Sequence, residues 1–215
     1  FSLPYSVQEV YGIHNISGNR YEGTKRIYST FYPIYGREPV ERKRPDVVLV
    51  EDSNAGFQFF SSVCSRYGIR CVSAGGKAKI SRAILACPAD QEILVIADGA
   101  AFGPEMERVL ALRFARTVSI YLPESFEWLI LEADVIRSQN ISTILQNPAD
   151  HIESRKYFSW EQFFTDLLVR ESNAVPYLHY QKSVLNPGYL EEGTAEKILR
   201  RINADTEGYD RSNQC

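Results

Sequence analysis

Two acidic side chains each follow a short apolar run, and their positions indicate a site for chemistry. Glu51 follows Val47–Val50, and Asp98 follows Ile93–Ala97. Short runs of this kind, rich in β-branched residues, are typical of strands buried on both faces. Because ligands of open α/β sheets bind at the carboxyl ends of the strands, we expect both carboxylates at that edge. Ionised carboxylates placed side by side need a cation, and Mg²⁺ or Mn²⁺ prefers such hard oxygen ligands.

A glycine-rich turn with a lysine follows another predicted strand, Ile69–Ser73. The backbone amides of Gly75 and Gly76, together with the ammonium of Lys77, form a pattern that can hold a phosphate at the same edge. An ordinary tight turn has the same composition, and the two interpretations carry equal weight. Gly99, next to Asp98, lets a backbone or a ligand approach that acid closely.

From residue 46 onward, predicted strands alternate with predicted helices. The pattern is typical of right-handed β-α-β units and predicts an α/β fold with a parallel sheet flanked by helices. After about residue 133 the pattern becomes helical without strands. The predicted strands are 47–50, 69–73, 93–97 and 117–122, and the predicted helices between and after them are 55–67, 79–87, 103–115 and 123–131.

The chain divides into three parts by composition. Residues 1–45 form a Tyr- and Arg-rich extended arm, residues 46–136 the α/β domain, and residues 137–215 a helical C-terminal segment with a mobile tail. Within the arm, residues 24–35 are predicted to be a hairpin strand or extended. Aromatic side chains interleaved with cations are typical of surfaces that stack bases and bind phosphates. An arm that packs its tyrosines on the main domain is the favoured interpretation.

Composition gives little direct information about partners. The net charge of −3 and the pI near 5.7 show no overall bias toward nucleic acid, although a local basic patch remains compatible with them. No apolar run approaches the roughly 20 residues of a membrane span, and no secretory leader is visible. The four cysteines lack metal-ligand spacing, so we expect a reduced, cytoplasmic protein. A start at Phe1 predicts a processed chain or part of a longer protein.

A resemblance connects these motifs. In the order in which they occur, they resemble a Toprim domain over roughly residues 46–136, and are most similar to those of OLD-family and related defence nucleases. In such domains a Glu closes the first strand, an Asp-x-Asp closes the third, and a later helix carries another Glu. The matching segments are Val-Leu-Val-Glu51, Ser-Ala-Gly-Gly-Lys77, Leu-Val-Ile-Ala-Asp98-Gly and Glu124-Ser-Phe-Glu127-Trp-Leu-Ile-Leu131.

The resemblance implies Mg²⁺- or Mn²⁺-dependent cleavage of a phosphodiester in DNA or RNA. It makes Glu51 the general acid/base or a metal ligand and Asp98 a metal ligand. Glu127 would assist the metal, and Lys77 would hold the scissile phosphate. Two metal ions about 4 Å apart would then stabilise the attacking and leaving oxygens. The resemblance also implies that the chain is the effector part of a larger assembly, with a protein partner or an upstream domain. A homo-oligomer is compatible with this expectation.

One position departs from the Toprim pattern. Ala100 stands where the second Asp of Asp-x-Asp would be, so one metal ligand is missing and catalysis is expected to be weakened, altered or lost. Asp52, Glu105 and Glu124 are the candidates to replace that ligand. Glu127 also has a simpler interpretation, as the solvated start of an amphipathic helix. The segment Asp52-Ser53-Asn54 likewise fits a cap of the following helix.

Two other classes of function compete with the nuclease. The pair Glu51-Asp52 resembles the acids of receiver domains, with Asp98 as the phospho-acceptor. Receivers carry a Ser or Thr after the fourth strand and a Lys-Pro after a fifth, and neither is found here. The third possibility is a non-catalytic partner-binding module built on the same sheet, which would use the arm and the C-terminal helices as its contact surface.

Overall fold

The computed structural model describes residues 11–17, 20–26, 31–33, 44–146, 148–152 and 155–200. This part of the chain contains seven strands and seven α-helices, with short 3₁₀ turns between them. The strands are β1 (Tyr11–Ser17), β2 (Arg20–Arg26), β3 (Phe31–Pro33), β4 (Val47–Val50), β5 (Arg70–Ser73), β6 (Glu92–Ile96) and β7 (Thr117–Tyr121). The helices are α1 (Ala55–Arg66), α2 (Ile80–Ala86), α3 (Met106–Leu110), α4 (Phe126–Glu132), α5 (Gln139–Gln146), α6 (Trp160–Ser172) and α7 (192–200).

Four of the strands form the predicted parallel sheet, in the spatial order β5-β4-β6-β7. In order of first appearance this is 2-1-3-4, and the α/β fold with flanking helices is thereby confirmed. The central strand β4 places Val48 opposite Cys71 of β5 and Leu94 of β6. The short strand β3 pairs antiparallel with the outer side of β7, while β1 and β2 form a separate antiparallel hairpin.

The alternation of side chains along β4 explains the two layers of helices. Val48 and Val50 belong to a core with α1, α4 and α6, whereas Val47 and Leu49 belong to a second core with α2 and α3. All four side chains are almost completely buried. Because successive residues of a strand point to opposite faces, a strand covered on both sides is apolar throughout.

The C-terminal segment shares the first of these cores. Helix α6 contributes Phe163, Phe164, Leu167 and Leu168, and the loops beyond it contribute further side chains to the same cluster. Ser159 begins α6 by accepting a hydrogen bond from the backbone amide of Gln162. The predicted mobile tail lies outside the described residues.

One predicted helix is interrupted in the structure, and one predicted strand segment is only partly described. The predicted helix 103–115 is divided into a 3₁₀ turn (Gly103–Glu105), the five-residue helix α3, and a second 3₁₀ turn (Ala111–Phe114). Pro104 fits the first turn, and i→i+3 bonds tighten the chain on both sides, as they do at helix ends. Within residues 24–35, the structure describes the backbone of the end of β2 and of the whole of β3, and it describes none of their side chains.

No helix in the described ranges is long and apolar enough to cross a membrane.

Candidate functional site at the carboxyl edge of the sheet

Glu51 and Asp98 lie together where β4 and β6 end. The backbone amide of Glu51 donates to the carbonyl of Ile96 (2.9 Å), which extends the pairing of the two strands by one residue. The backbone amide of Asp98 then donates to Glu51 Oε2 (3.0 Å). The side chain of Glu51 therefore reaches across the sheet edge to the start of the Asp98 loop, and the structure brings the two predicted acids together.

The carboxylate of Asp98 is crowded and receives no hydrogen bond from any described residue. Its side chain is only partly exposed. Burial, followed by the negative charges of Glu51 and Glu127, holds the pKa of Asp98 well above its usual range. Burial is also the main cause that raises the pKa of Glu51, against the amide of Asp98 and the positive charge of Lys77, which lower it. The edge thus concentrates negative charge that a cation would relieve.

The backbone around Gly99 leaves no room for a side chain. Its amide donates to the carbonyl of Pro123 (2.6 Å), and a Cβ at this position would lie 2.7 Å from the carbonyl oxygen of Leu122. The close approach expected at Gly99 is therefore an approach of backbone to backbone. It continues the β6–β7 pairing and fixes the loop that carries Asp98.

Glu127 lies in the first turn of α4 and is buried, with 3% of its surface exposed. The interpretation that it lies on a solvated helix face is therefore wrong. The hydroxyl of Tyr180 donates to Glu127 Oε1 at 2.7 Å, and Tyr180 is itself 2% exposed. The core on this side of the sheet closes over the start of α4, so the carboxylate is held inside the protein, where its charge acts on Asp98.

The glycine turn bonds mainly to the protein itself. The amide of Gly75 donates to Ser73 Oγ (3.1 Å), and the amide of Gly76 donates to the carbonyl of Glu51 (2.9 Å). Both glycines have positive φ, 72° and 116°, which explains why glycine is found there. Lys77 Nζ donates to the carbonyl of Ala101 (3.1 Å), which leaves its other donors for the site. Phosphate binding by Gly75, Gly76 and Lys77 stays a prediction.

The three candidates to replace the missing acid differ in their surroundings. Ala100 itself is buried (7% exposed). Glu105 accepts a hydrogen bond from the guanidinium of Arg108 (3.2 Å), and the backbone carbonyl of Glu124 accepts from the amide of Ala100 (3.2 Å). The charge of Asp52 contributes to the raised pKa of Asp98, which places Asp52 near the acids.

Asp52 also organises the turn before α1. Its Oδ1 accepts the backbone amides of Ser53 (2.6 Å) and Asn54 (2.9 Å). The N-cap residue of α1 is Asn54, whose side chain makes no cap hydrogen bond. The N-cap therefore falls within the predicted capping segment Asp52-Ser53-Asn54, while the carboxylate of Asp52 closes the turn before it.

Three residues of the C-terminal segment were not predicted to be near the site. They are Glu161 in α6, Tyr180, and Lys182, whose ammonium forms an ion pair with Glu161. The charge of Glu161 contributes to the raised pKa of both Glu51 and Asp98. No motif or spacing links these residues to the strands, because only tertiary packing of α6 and the following loop brings them to this edge.

The donor set fits a metal that is bound partly through water and substrate. Within the described ranges, no group of three or more His, Cys, Asp or Glu side chains is arranged to hold a metal ion. Mg²⁺ is usually bound by one or two carboxylates, several waters and substrate phosphates, without an all-protein cage. The two carboxylates of Glu51 and Asp98 are enough for such an open site, whereas a closed structural site needs more protein ligands. Comparison of the chain with protein-family models, with curated proteins and with solved structures gives no match.

Removing the Tyr180 hydroxyl is expected to destabilise the fold. In Tyr180→Phe the buried Glu127 Oε1 loses its hydrogen-bond donor. A buried polar group left unsatisfied costs about 1–3 kcal/mol, and more when it is charged. Chemical denaturation in a chelating buffer measures the change. Tyr157→Phe is the matched control, because its hydroxyl donates to the more exposed Asp166 and its loss costs less. Equal stability of the two variants would contradict the buried bond.

Proposed function

We propose that the carboxyl edge of this sheet binds Mg²⁺ or Mn²⁺ and cleaves a phosphodiester of DNA or RNA. The observation that supports this most directly is the hydrogen bond from the Asp98 amide to Glu51 Oε2 (3.0 Å), which holds two acids from different strands at one place. The order of the motifs, which resembles that of Toprim nucleases, supports the same activity.

The residues have distinct roles in this proposal. Glu51 and Asp98 would hold the metal ion, which would supply Lewis acidity and lower the pKa of a water molecule. Glu51 would accept the proton of the attacking water while the water oxygen bonds to phosphorus, and the leaving oxygen would separate from phosphorus and take a proton from solvent. Glu127, fixed by Tyr180, keeps negative charge directed at the metal site, and Lys77 contacts the scissile phosphate.

The sheet favours this proposal over a receiver domain. Receiver-type doubly wound sheets have the strand order 2-1-3-4-5, with all five strands parallel. In the described part of this chain, the position next to β7 is taken by β3, which runs antiparallel. A partner-binding module remains the alternative if the edge binds no divalent ion.

Glu51→Gln is expected to reduce the rate of cleavage about 10²–10⁴-fold while leaving the fold intact. The substitution keeps the size of the side chain but removes its ability to take a proton, and general acid–base catalysis contributes about 10²–10⁴-fold. The measurement is cleavage of labelled single- and double-stranded DNA and RNA by the full chain, with Mg²⁺, with Mn²⁺ and with a chelator. Glu107→Gln makes the same change at an exposed residue of α3 and should retain full activity.

Other outcomes identify the alternatives. Absence of metal-dependent cleavage on every substrate would overturn the nuclease proposal. Labelling by acetyl phosphate that is lost in Asp98→Asn would favour the receiver. No cleavage, no labelling and no divalent-ion binding would leave the partner-binding module.

A further inference from the structure

We propose that Lys182, supplied by the C-terminal segment, binds a phosphate group of the substrate and that Glu161 holds the lysine ready in the free protein. This inference rests on the proposed function, because it assigns a further binding residue to the same site. Lys182 lies outside the Toprim-like region, and no sequence motif points to it.

The main chain around Lys182 is firmly attached to the sheet edge. Its carbonyl accepts the backbone amide of Ala55 at the start of α1 (3.0 Å). The side chain of Gln58 donates to the carbonyl of Ser183 (2.9 Å) and accepts the amide of Leu185 (2.9 Å). Two residues earlier, Tyr180 donates to Glu127. These bonds on both sides fix the position from which the lysine side chain extends.

The ammonium of Lys182 lies in the field of the acids yet remains accessible. It is paired with Glu161, and its side chain is 42% exposed. The charges of Glu161, Glu127 and Asp98 all act on it. An ammonium has three donors, so the pairing with Glu161 leaves donors for a ligand.

The chemistry of the edge requires cations beyond Lys77. A phosphodiester adds negative charge to a place that already holds Glu51, Asp98 and Glu127. The amides of Gly75 and Gly76 already donate to protein acceptors. When a phosphate arrives, the donors of Lys182 that Glu161 leaves free form a charge-assisted hydrogen bond with a phosphate oxygen.

A second ion pair on the same helix provides a matched control. Lys156 contacts Asp166 of α6 at 3.0 Å, and the two side chains are 56% and 43% exposed. This pair resembles Lys182–Glu161 in chemistry and in exposure. Asp166 is not among the main influences on the pKa of Asp98 or of Glu51. Lys156→Ala therefore removes the same charge without touching the proposed site.

The test measures binding and cleavage separately. Fluorescence anisotropy of a labelled single-stranded oligonucleotide is followed with the full chain and Ca²⁺ as the probe cation, and cleavage is followed with Mg²⁺. We expect Lys182→Ala to weaken binding about tenfold, Lys182→Arg to recover part of it, and Lys156→Ala to bind as the unmodified protein does. Loss of one phosphate contact should reduce the slope of log K against log salt by about 0.7 for a single strand. Glu161→Gln frees the lysine and should tighten binding.

The results separate this inference from the proposed function. Unchanged binding, salt slope and KM in Lys182→Ala, in a protein that cleaves, would overturn the role of Lys182 and leave the nuclease standing. Binding that depends on Lys182 without any cleavage would support the phosphate contact and overturn the nuclease. Equal losses in Lys182→Ala and Lys156→Ala would assign the effect to overall charge and overturn the specific contact.

Discussion

Asp98→Asn is expected to make the metal-free protein more stable at neutral pH, although it removes a residue of the proposed site. Burial and the surrounding carboxylates hold the pKa of Asp98 well above its usual range. Among the described residues, none donates a hydrogen bond to the carboxylate. The amide is nearly isosteric with the protonated acid and carries no charge. The substitution therefore removes the repulsion and keeps the packing.

The direction of the pH dependence follows from the raised pKa. The folded protein binds the Asp98 proton more tightly than the unfolded chain does, so folding is favoured at low pH. Stability falls as the pH rises above the unfolded pKa of about 3.9, and it stops falling above the folded pKa. The advantage of Asp98→Asn should be absent near pH 3.5, grow with pH, and then level off. The height of the plateau measures what it costs to keep Asp98 ionised in the folded protein.

Thermal unfolding in a chelating buffer across this pH range measures the effect. For a chain of this size, about 1 kcal/mol corresponds to a shift of about 2–4 °C in Tm. Adding Mg²⁺ or Mn²⁺ should reverse the order, because a ligand stabilises only the protein that binds it. Asp90→Asn, at an exposed residue, is the control and should show neither effect. A lower Tm for Asp98→Asn in the chelator would contradict the crowding of charge at the sheet edge.

The strand pattern was sufficient to predict the sheet and the meeting of its acids. A buried parallel strand must be apolar on both faces, so Val47–Val50 could be located to the residue. The position of Glu51 and Asp98 directly after two such strands then follows from topology. The sequence predicted the ends of the helices less accurately than the strands. The conformation of a short segment such as α3 depends more on the residues packed around it than on its own periodicity.

The rest of the site depends on contacts between distant parts of the chain. Glu127 is buried against Tyr180, which lies 53 residues further along the chain. The periodicity of α4 alone does not predict this burial. Lys182 reaches the edge only because Ala55 and Gln58 bond to its flanking backbone. The amides of Gly75 and Gly76 match a phosphate-binding pattern in sequence, yet their protein acceptors are visible only in three dimensions.

Gly188→Ala is expected to destabilise the fold more than alanine at Gly99, where a Cβ would also lie within 3.0 Å of a backbone oxygen. A Cβ at Gly188 would lie 2.0 Å from the carbonyl oxygen of Tyr177, a backbone atom that cannot move away alone. The amide of Gly188 also donates to Asn186 Oδ1 (2.9 Å), so the segment is fixed from the other side. Overpacking costs about 1–3 kcal/mol of stability and occasionally more, and we expect a cost of about 3 kcal/mol or more for this contact.

The same substitution should disturb the site, although Gly188 lies far from it in sequence. Tyr189, the next residue, donates its hydroxyl to the carbonyl of Leu178 (2.6 Å) and packs edge to face on Tyr180. A displacement of residues 177–178 is therefore expected to move Tyr180, whose hydroxyl donates to Glu127. We expect weaker binding of divalent ions in any folded Gly188→Ala protein, together with a Tm lower by about 6–12 °C for a cost of about 3 kcal/mol.

Gly193→Ala provides the matched control for this measurement. A Cβ at Gly193 would meet nothing within 4 Å, and the residue is in α7. Alanine is favoured over glycine by about 0.8–1.0 kcal/mol in the interior of a helix. Gly193 lies in the first turn of α7, so this variant should be at least as stable as the unmodified protein and bind metal normally. Calorimetry gives the stability of both variants and titration calorimetry with Mn²⁺ gives their affinity. If Gly188→Ala matched Gly193→Ala in both quantities, the C-terminal segment would not be the support that positions Glu127.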